Sequence, residues 1–200
     1  MFKNLPPATR ALLLANIIVF VIQYFTGDLL LDLFALWPAA SPLFQPWQLV
    51  TYAFLHGGLT HILFNMIALY MFGAALEQWF GTRRFCAYYF VCVVAAAALQ
   101  LLVTAAAHAE DATLGASGGI FGLLLAFAWY FPRQRIMLLI PPIPMPAWLF
   151  VLLYGLLELF LGVTGSMGSV AHFAHLGGMV GGAAMILYWR ATDRPRRPQR

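Results

Sequence analysis

The sequence predicts an all-α protein that crosses a lipid bilayer six times. Of its 200 residues, 62% are hydrophobic and only 9% are charged, and the mean hydropathy is +0.82. Soluble domains carry about 25% charged residues, so this composition excludes a soluble globular fold. A spanning helix uses about 20 mostly apolar residues, and six such apolar segments stand out. They are residues 11–25, 59–76, 85–107, 115–131, 147–163 and 170–189.

The basic residues predict the orientation of these segments. An even number of spans places both termini on one side, and short cytoplasmic loops carry the excess of Lys and Arg. All eleven basic residues fall in the N-terminus, the second loop, the fourth loop and the C-terminal tail. None falls in the first, third or fifth loop. Both termini are therefore predicted to be cytoplasmic.

One membrane domain, residues 1–191, is predicted, followed by a short basic tail, residues 192–200. The tail is rich in Pro and Arg and is predicted to be disordered. The first apolar segment is interpreted as a retained span, because it lacks a cleavage site followed by a polar mature domain. The basic residues lie in small groups between apolar segments, so the net charge of +4 does not indicate nucleic-acid binding.

The first loop, residues 26–48, is predicted to lie in the outer membrane interface. It interleaves Trp, Phe and Leu with Pro. Aromatic side chains such as Trp37 and Trp47 concentrate at the depth of the lipid headgroups.

Polar side chains inside the spans are the candidate functional residues, because burying such groups in hydrocarbon costs a few kcal/mol. Spans two, four and six all run from the outside inward in the predicted topology, so each begins at its outer end. At about 1.5 Å per residue, four of the polar residues lie within about 10 Å of one another in depth. These four are His61, Asn65, Ser117 and His175.

Ser117 lies in the glycine-rich segment GASGGIFG at the start of span four. Small neighbours expose the hydroxyl, and a helix N-terminus offers unpaired N–H groups to a developing anion. This arrangement suits a nucleophile beside an oxyanion hole. The alternative is a helix cap or a packing motif formed by Gly118 and Gly122.

A serine nucleophile needs a base, and histidine is the usual base near neutral pH. His175 lies beside Gly178 and Gly182, whose small-xxx-small spacing would let spans four and six pack closely. His172 is the competing candidate, one turn nearer the outside. Its alternative interpretation is an interfacial histidine that is hydrogen-bonded to a loop.

His61 and Asn65 are spaced i, i+4 and share one face of span two. Their N–H groups could stabilise the oxyanion of an acyl-transfer intermediate, and the alternative is a structural hydrogen bond between helices. His56 is interpreted as a structural residue of the first loop. Glu158, in span five, has no obvious partner, and a local hydrogen bond or a water contact is favoured over a third catalytic role.

Together these residues resemble the rhomboid family of intramembrane serine proteases. The family's GxSG motif is matched by Gly115, Ala116, Ser117 and Gly118, and its AHxxGxxxG pattern by Ala174, His175, Gly178 and Gly182. The second match favours His175 over His172. The family's HxxxN pair is matched by His61 and Asn65, and His56 lies at a further recurrent histidine position.

The resemblance implies a six-span rhomboid-like bundle and a role for each matched residue. Ser117 is the implied nucleophile and His175 the implied general base. His61, Asn65 and the Ser117 backbone N–H are the implied oxyanion hole. The supporting residues are Gly115, Gly118, Phe121, Gly178 and Gly182.

Two positions depart from the family pattern. Gln48 follows Trp47 where the family often has Arg, which puts the docking role of that arginine in doubt. Phe121 stands where many members have a Tyr that stacks on the histidine, so it keeps the ring and loses the hydroxyl. Neither change removes a catalytic group.

The implied activity is hydrolysis of membrane proteins near the outer end of a transmembrane segment. Because no acid is expected to orient His175, the sequence predicts a Ser-His dyad. No cofactor is expected, and no metal, since His61 and His175 lack a carboxylate or thiol at ligand spacing. The expected partners are transmembrane substrates and the bilayer, and the expected location is a bacterial plasma membrane, with the site open to the outside.

Two other functions compete with proteolysis. A rhomboid-like protein that binds membrane clients without cutting them typically lacks the serine or the histidine, and this chain has both. A small transporter would have polar residues in both halves of the membrane, whereas these cluster in the outer half. Protease is therefore the favoured interpretation. The sequence leaves the oligomeric state open.

Overall fold

A computed structural model describes residues 5–137, 142–165 and 171–192 of the chain, and most of these residues are helical. The helices are α1 (Pro7–Thr26), α2 (Asp28–Phe34), α3 (Gln48–Thr51), α4 (Leu59–Ala68), α5 (Ala74–Phe80), α6 (Thr82–Ala107), α7 (Ser117–Tyr130), α8 (Ala147–Thr164) and α9 (His172–Thr192). A 3₁₀ turn, Tyr52–Phe54, follows α3, and a π-helical turn, Leu69–Gly73, joins α4 to α5. The predicted tail beyond Thr192 and the predicted start of the sixth span at Val170 lie outside the described residues.

A long helical run lies at each of the six predicted positions. Within the described part of the chain, four runs are long and apolar enough to cross a membrane, namely Pro7–Thr26, Leu59–Phe80, Thr82–Ala107 and Ala147–Thr164. The helix α7 has 14 residues and is about 21 Å long, shorter than the roughly 30 Å hydrocarbon core. In α9, two histidines and four glycines lower the apolar content. Six spans therefore remain a prediction, while a largely helical, multi-pass architecture is confirmed.

Glycines bring α7 into close contact with α6 and α9. A β-carbon on Gly178 would collide with the carbonyl oxygen of Gly118, and one on Gly122 would collide with the Cys92 side chain. The predicted close approach of spans four and six is therefore confirmed at Gly178. The prediction is wrong for Gly182, whose missing side chain makes room for Tyr88 of α6.

The first loop is folded against the start of α7. Backbone N–H groups of Leu36 and Thr113 each donate to the other residue's carbonyl, at 2.9 Å in both directions. Gly115 N–H donates to the carbonyl of Tyr52, also at 2.9 Å. The first loop and the 3₁₀ turn thus fix the turn that leads into Ser117.

Gln48 holds the first loop together where the family often has arginine. Its side chain is fully buried, accepts a hydrogen bond from the Trp37 backbone N–H, and donates to the carbonyls of Leu33 and Leu43. Trp47 is 49% exposed, and its indole N–H donates to Leu33 O at 2.9 Å. The neutral side chain therefore ties the loop by itself, while the predicted headgroup depth of the two tryptophans stays a prediction.

A small β-sheet in the fourth loop departs from the predicted all-α class. Strands β1 (Arg135–Met137) and β2 (Pro144–Pro146) pair antiparallel. Proline has no backbone N–H and so limits the ladder that β2 can form. This short pair lies between α7 and α8 and leaves the helical architecture unchanged.

Glu77 joins the first two long helical runs, a role that no pattern in the sequence indicated. Its buried carboxylate accepts hydrogen bonds from the backbone N–H groups of Ala8 and Thr9, and from the hydroxyls of Thr9 and Thr82. The first two donors belong to the N-terminus of α1, where a helix favours a negative charge. The buried charge is satisfied and stabilises the contact between α1 and α5.

Candidate active site

Ser117 and His175 are brought into direct contact by α7 and α9. Ser117 is the first residue of α7, and His175 lies in the first turn of α9. The serine Oγ lies 2.8 Å from Nε2 of the imidazole. This is hydrogen-bond distance for a hydroxyl and the base that would remove its proton.

Gly115 allows His61 to approach the serine. Its φ of +125° belongs to a region that side chains rarely adopt. A β-carbon at this position would lie 2.8 Å from Cε1 and Nε2 of His61 and 3.6 Å from Ser117 Oγ. The edge of the His61 ring therefore packs against the turn that carries the serine, as the predicted convergence requires.

His61 presents an N–H group to this turn. The backbone N–H of Gly57 donates to His61 Nδ1 at 3.3 Å, so the neutral ring carries its proton on Nε2. The Nε2 atom lies on the side of the ring that faces Gly115. His61 can therefore donate a hydrogen bond to an anion formed beside Ser117.

Two further donors are available near His61 and Ser117. Asn65, one turn beyond His61, is buried, and its Nδ2 has no hydrogen-bond partner among the described residues. Buried polar groups are nearly always paired, so such an amide is suited to a ligand or a reaction intermediate. The Ser117 backbone N–H is the first amide of α7 and has no acceptor within its helix.

Glu158 of α8 lies beside His175, contrary to the sequence-based expectation. Its Oε2 atom lies 2.9 Å from His175 Nδ1, so the expectations that Glu158 lacks a partner and that no acid can orient His175 are wrong. The two residues are 17 positions apart on different helices, and sequence spacing alone does not predict which helix faces pair. The available signal was a lone acid in an otherwise uncharged apolar helix.

His172 shares the same carboxylate oxygen. Its Nδ1 lies 2.7 Å from Glu158 Oε2, and its side chain is buried, as are those of Glu158 and His175. The interpretation of His172 as a wet, interfacial side chain is therefore wrong. It is part of a buried cluster one turn from His175.

This cluster contradicts the expectation that His175 lacks a carboxylate companion, on which the prediction of no metal site was based. Ligand atoms of Glu158, His172 and His175 lie within 4.8 Å of one another, so His175 does have a carboxylate and an imidazole as companions. The two N···O distances of 2.7 and 2.9 Å are those of hydrogen bonds. Ligands of a tetrahedral zinc ion at about 2.0 Å from the metal would lie about 3.3 Å apart. The geometry fits hydrogen bonding better than coordination.

Phe121 fixes the plane of the His175 ring. The two rings stack with centroids 4.2 Å apart and planes 5° apart, so the predicted stacking is confirmed. On α8, Tyr154 packs against Phe121 with a centroid distance of 4.9 Å. Loss of the usual tyrosine hydroxyl therefore leaves the ring contact in place.

His56 and Gln23 support the site from the first loop and from α1. The Gln23 side chain donates to the His56 carbonyl at 2.9 Å and accepts from the His56 N–H at 3.1 Å. The His56 ring is buried and packs edge-on against His61, with centroids 5.1 Å apart. The structural role of His56 stays a prediction, and no sequence pattern indicated the contact with Gln23.

Comparison with known proteins identifies the family. The Rhomboid domain family model matches residues 43–192. The chain belongs to the rhomboid family. The mitochondrial Rhomboid protein 1 of Saccharomyces cerevisiae is 33% identical over 150 residues, which cover 72% of this chain and 42% of that protein. The rhomboid protease GlpG of Yersinia pestis is 27% identical over 197 residues, which cover 96% of this chain and 66% of that protein.

This rhomboid chain thus spans less than two thirds of the length of both relatives. The matched region, residues 43–192, includes Ser117, His175, His61, Asn65 and Glu158. Family membership and the apolar helices together establish an integral, multi-pass membrane protein.

Proposed function

We propose that this rhomboid is an intramembrane serine endopeptidase in which Ser117 is the nucleophile and His175 the general base. The observation that carries the proposal is the 2.8 Å contact between Ser117 Oγ and His175 Nε2. The nearby donors of His61 and Asn65 complete a set of groups suited to acyl transfer. One of the two relatives carries the name rhomboid protease, which agrees with this activity.

The reaction follows from these positions. Ser117 Oγ attacks the scissile carbonyl carbon while its proton passes to His175 Nε2. The resulting oxyanion accepts hydrogen bonds from the Ser117 backbone N–H, His61 and Asn65, each good donor contributing about 3 kcal/mol. As the C–N bond breaks, His175 returns the proton to the leaving amine. Water then attacks the acyl-enzyme with His175 as base again, which releases the acid and restores Ser117.

The substrates we propose are transmembrane segments that enter from the side and unwind locally at the site. A helix keeps its carbonyls in internal hydrogen bonds, so a scissile bond must leave the helix before Ser117 can reach it. The short α7 supports this, because a helix of about 21 Å can begin below the membrane surface. Irregular backbone at that depth must be covered by protein or line a water-filled cavity.

We further propose six spans with both termini in the cytoplasm and the site open to the outer side of a bacterial plasma membrane. The distribution of Lys and Arg supports this orientation. The binding-protein alternative is not favoured, because the serine and histidine are both present and in contact. A transporter is not favoured either, since the polar cluster lies at the start of α7 and α9.

Cleavage of a single-span substrate by purified protein in proteoliposomes tests the proposal. Ser117→Ala and His175→Ala are expected to lower the turnover number by at least about 1,000-fold, since each removes a group needed for bond breaking. Ser41→Ala, at a half-buried position of the first loop, and His108→Asn, at an exposed loop position, are matched controls and are expected to cleave like the wild type.

A fluorophosphonate probe that labels activated serines provides the second readout. Ser117-dependent labelling with cleavage supports the proposal. Cleavage that persists in Ser117→Ala would refute the assigned nucleophile. A folded wild type that neither cleaves nor reacts with the probe would favour the binding-protein alternative.

A further inference from the structure

We propose that Glu158 is a positioning residue of the active site, which makes Ser117, His175 and Glu158 a triad. The inference rests on the proposed protease function and adds a third member to the Ser-His pair. It is carried by one carboxylate oxygen that lies 2.9 Å from His175 Nδ1, on the opposite side of the ring from Ser117.

The first step of the argument is the position of the proton on His175. A carboxylate accepts hydrogen bonds and cannot donate them, so the Nδ1 atom facing Glu158 carries the proton. The Nε2 atom of the neutral ring then has a free lone pair, and this is the atom that faces the serine hydroxyl. Glu158 thus selects the tautomer in which His175 can act as a base.

The second step is the charge that forms during catalysis. When His175 takes the serine proton it becomes an imidazolium ion inside a buried cluster, where little water can solvate it. The carboxylate lies next to that charge and stabilises it without taking the proton, as the acid of a serine protease triad does. Glu158 therefore acts on the reaction through His175 alone.

The third step is how Glu158 itself is held. His172 donates a second hydrogen bond to the same oxygen at 2.7 Å. A buried carboxylate is costly unless it is hydrogen-bonded, so two imidazole donors make the position of Glu158 tolerable in an apolar helix. Phe121 stacks on the face of the His175 ring. This contact keeps the two ring nitrogens directed at Ser117 and Glu158.

The competing explanation is that the bond between Glu158 and His175 only holds α8 and α9 together. Enzyme kinetics distinguish this structural role from the positioning role. Glu158→Gln keeps the size of the side chain but removes its charge, and its NH₂ group can donate to Nδ1 and stabilise the wrong tautomer. We expect kcat to fall by about 100-fold with KM within about twofold of the wild type. The rate of Ser117 labelling by the fluorophosphonate probe is expected to fall in parallel.

Glu77→Gln is the matched control, because Glu77 is also a buried carboxylate that ties helices together but lies outside the site. It is expected to lower the melting temperature while kcat per folded enzyme stays at the wild-type value. A structural role for Glu158 predicts the same pattern for Glu158→Gln. That pattern, or a kcat within about threefold of the wild type, would overturn the inference.

A second variant covers the case in which Glu158→Gln does not fold. Glu158→Asp keeps the charge on a shorter side chain, and its kcat and labelling rate are expected to lie between those of Glu158→Ala and the wild type. Equal rates for Glu158→Asp and Glu158→Ala would overturn the triad. If the wild type shows no Ser117-dependent cleavage or labelling, the protease function and the triad fail together. If the wild type is active and the Glu158 variants are equally active, the triad alone fails.

Discussion

At the scale of single residues, two histidines of the site have opposite hydrogen-bonding roles because their Nδ1 atoms have different partners. Nδ1 of His61 accepts from the backbone N–H of Gly57, whereas Nδ1 of His175 faces the carboxylate of Glu158. Nε2 is therefore a donor in His61 and an acceptor in His175. An oxyanion hole needs the first and a general base needs the second. In the proposed mechanism, a backbone N–H and one acid thus give two histidine side chains different tasks.

The lowered pKa of a third histidine, His56, predicts how the free energy of unfolding depends on pH. Its burial, and secondarily the neighbouring His61, lower the pKa of His56 from 6.5 to about 4. Between these values the unfolded chain binds a proton that the folded chain does not, so stability is complete above pH 6.5 and falls as the pH drops toward 4. The loss amounts to about 3 kcal/mol.

The measurement is thermal unfolding in detergent, followed by tryptophan fluorescence at pH 7.5 and at pH 4.5. His56→Gln removes the titrating group, so its melting temperature is expected to fall less over this interval than that of the wild type. His108→Asn, at an exposed loop position, is the control for removal of a histidine. Equal pH dependence in His56→Gln and the wild type would contradict the assignment.

At the scale of elements, local composition predicts where the helices lie but not how they pair. Apolar runs mark the helices that lie at the six predicted positions to within a few residues, but they miss the short helices α2 and α3. Glycine spacing correctly predicts the contact between Gly178 and α7. The bond between Glu158 and His175 depends on how α8 and α9 face each other, which no periodicity records. For the same reason the sequence did not indicate the clamp between Gln23 and His56.

The close contact between α7 and α9 predicts that one methyl group added at Gly178 strongly lowers both cleavage and stability. In Gly178→Ala the new β-carbon would collide with the Gly118 carbonyl oxygen, so the two helices must separate. Because these helices carry Ser117 and His175, we expect cleavage to fall by at least about 100-fold, together with about 1–3 kcal/mol of stability.

Gly155→Ala on α8 is the control for this change. Its β-carbon would meet only the flexible end of the Met179 side chain, at 3.2 Å, which can move aside. Cleavage assays and melting curves on both variants test the prediction. Wild-type activity in Gly178→Ala would show that the serine and histidine do not depend on this close approach.

At the scale of the whole molecule, the site is built where the first loop, α4, α7 and α9 meet. The loop supplies a backbone bridge to Thr113 and a carbonyl for Gly115, and α1 reaches the same region through Gln23. The reactive groups therefore gather near one end of the long helices. If the site near this end is the proposed protease site, the orientation of the bundle decides which compartment supplies the water for hydrolysis.

The predicted orientation of the bundle can be tested at two single-cysteine positions. Glu110→Cys lies in the loop before α7, near the predicted outer side, and Arg133→Cys lies in the loop after α7, on the predicted cytoplasmic side; both residues are exposed. The background is Cys86→Ala, which leaves only the buried Cys92 of the native thiols. In intact bacterial cells, a membrane-impermeant maleimide is expected to label Glu110→Cys directly and Arg133→Cys only after permeabilisation, because basic loops stay in the cytoplasm. The reverse pattern would place Ser117 and its water on the cytoplasmic side. The substrates would then be cut near the inner ends of their transmembrane segments.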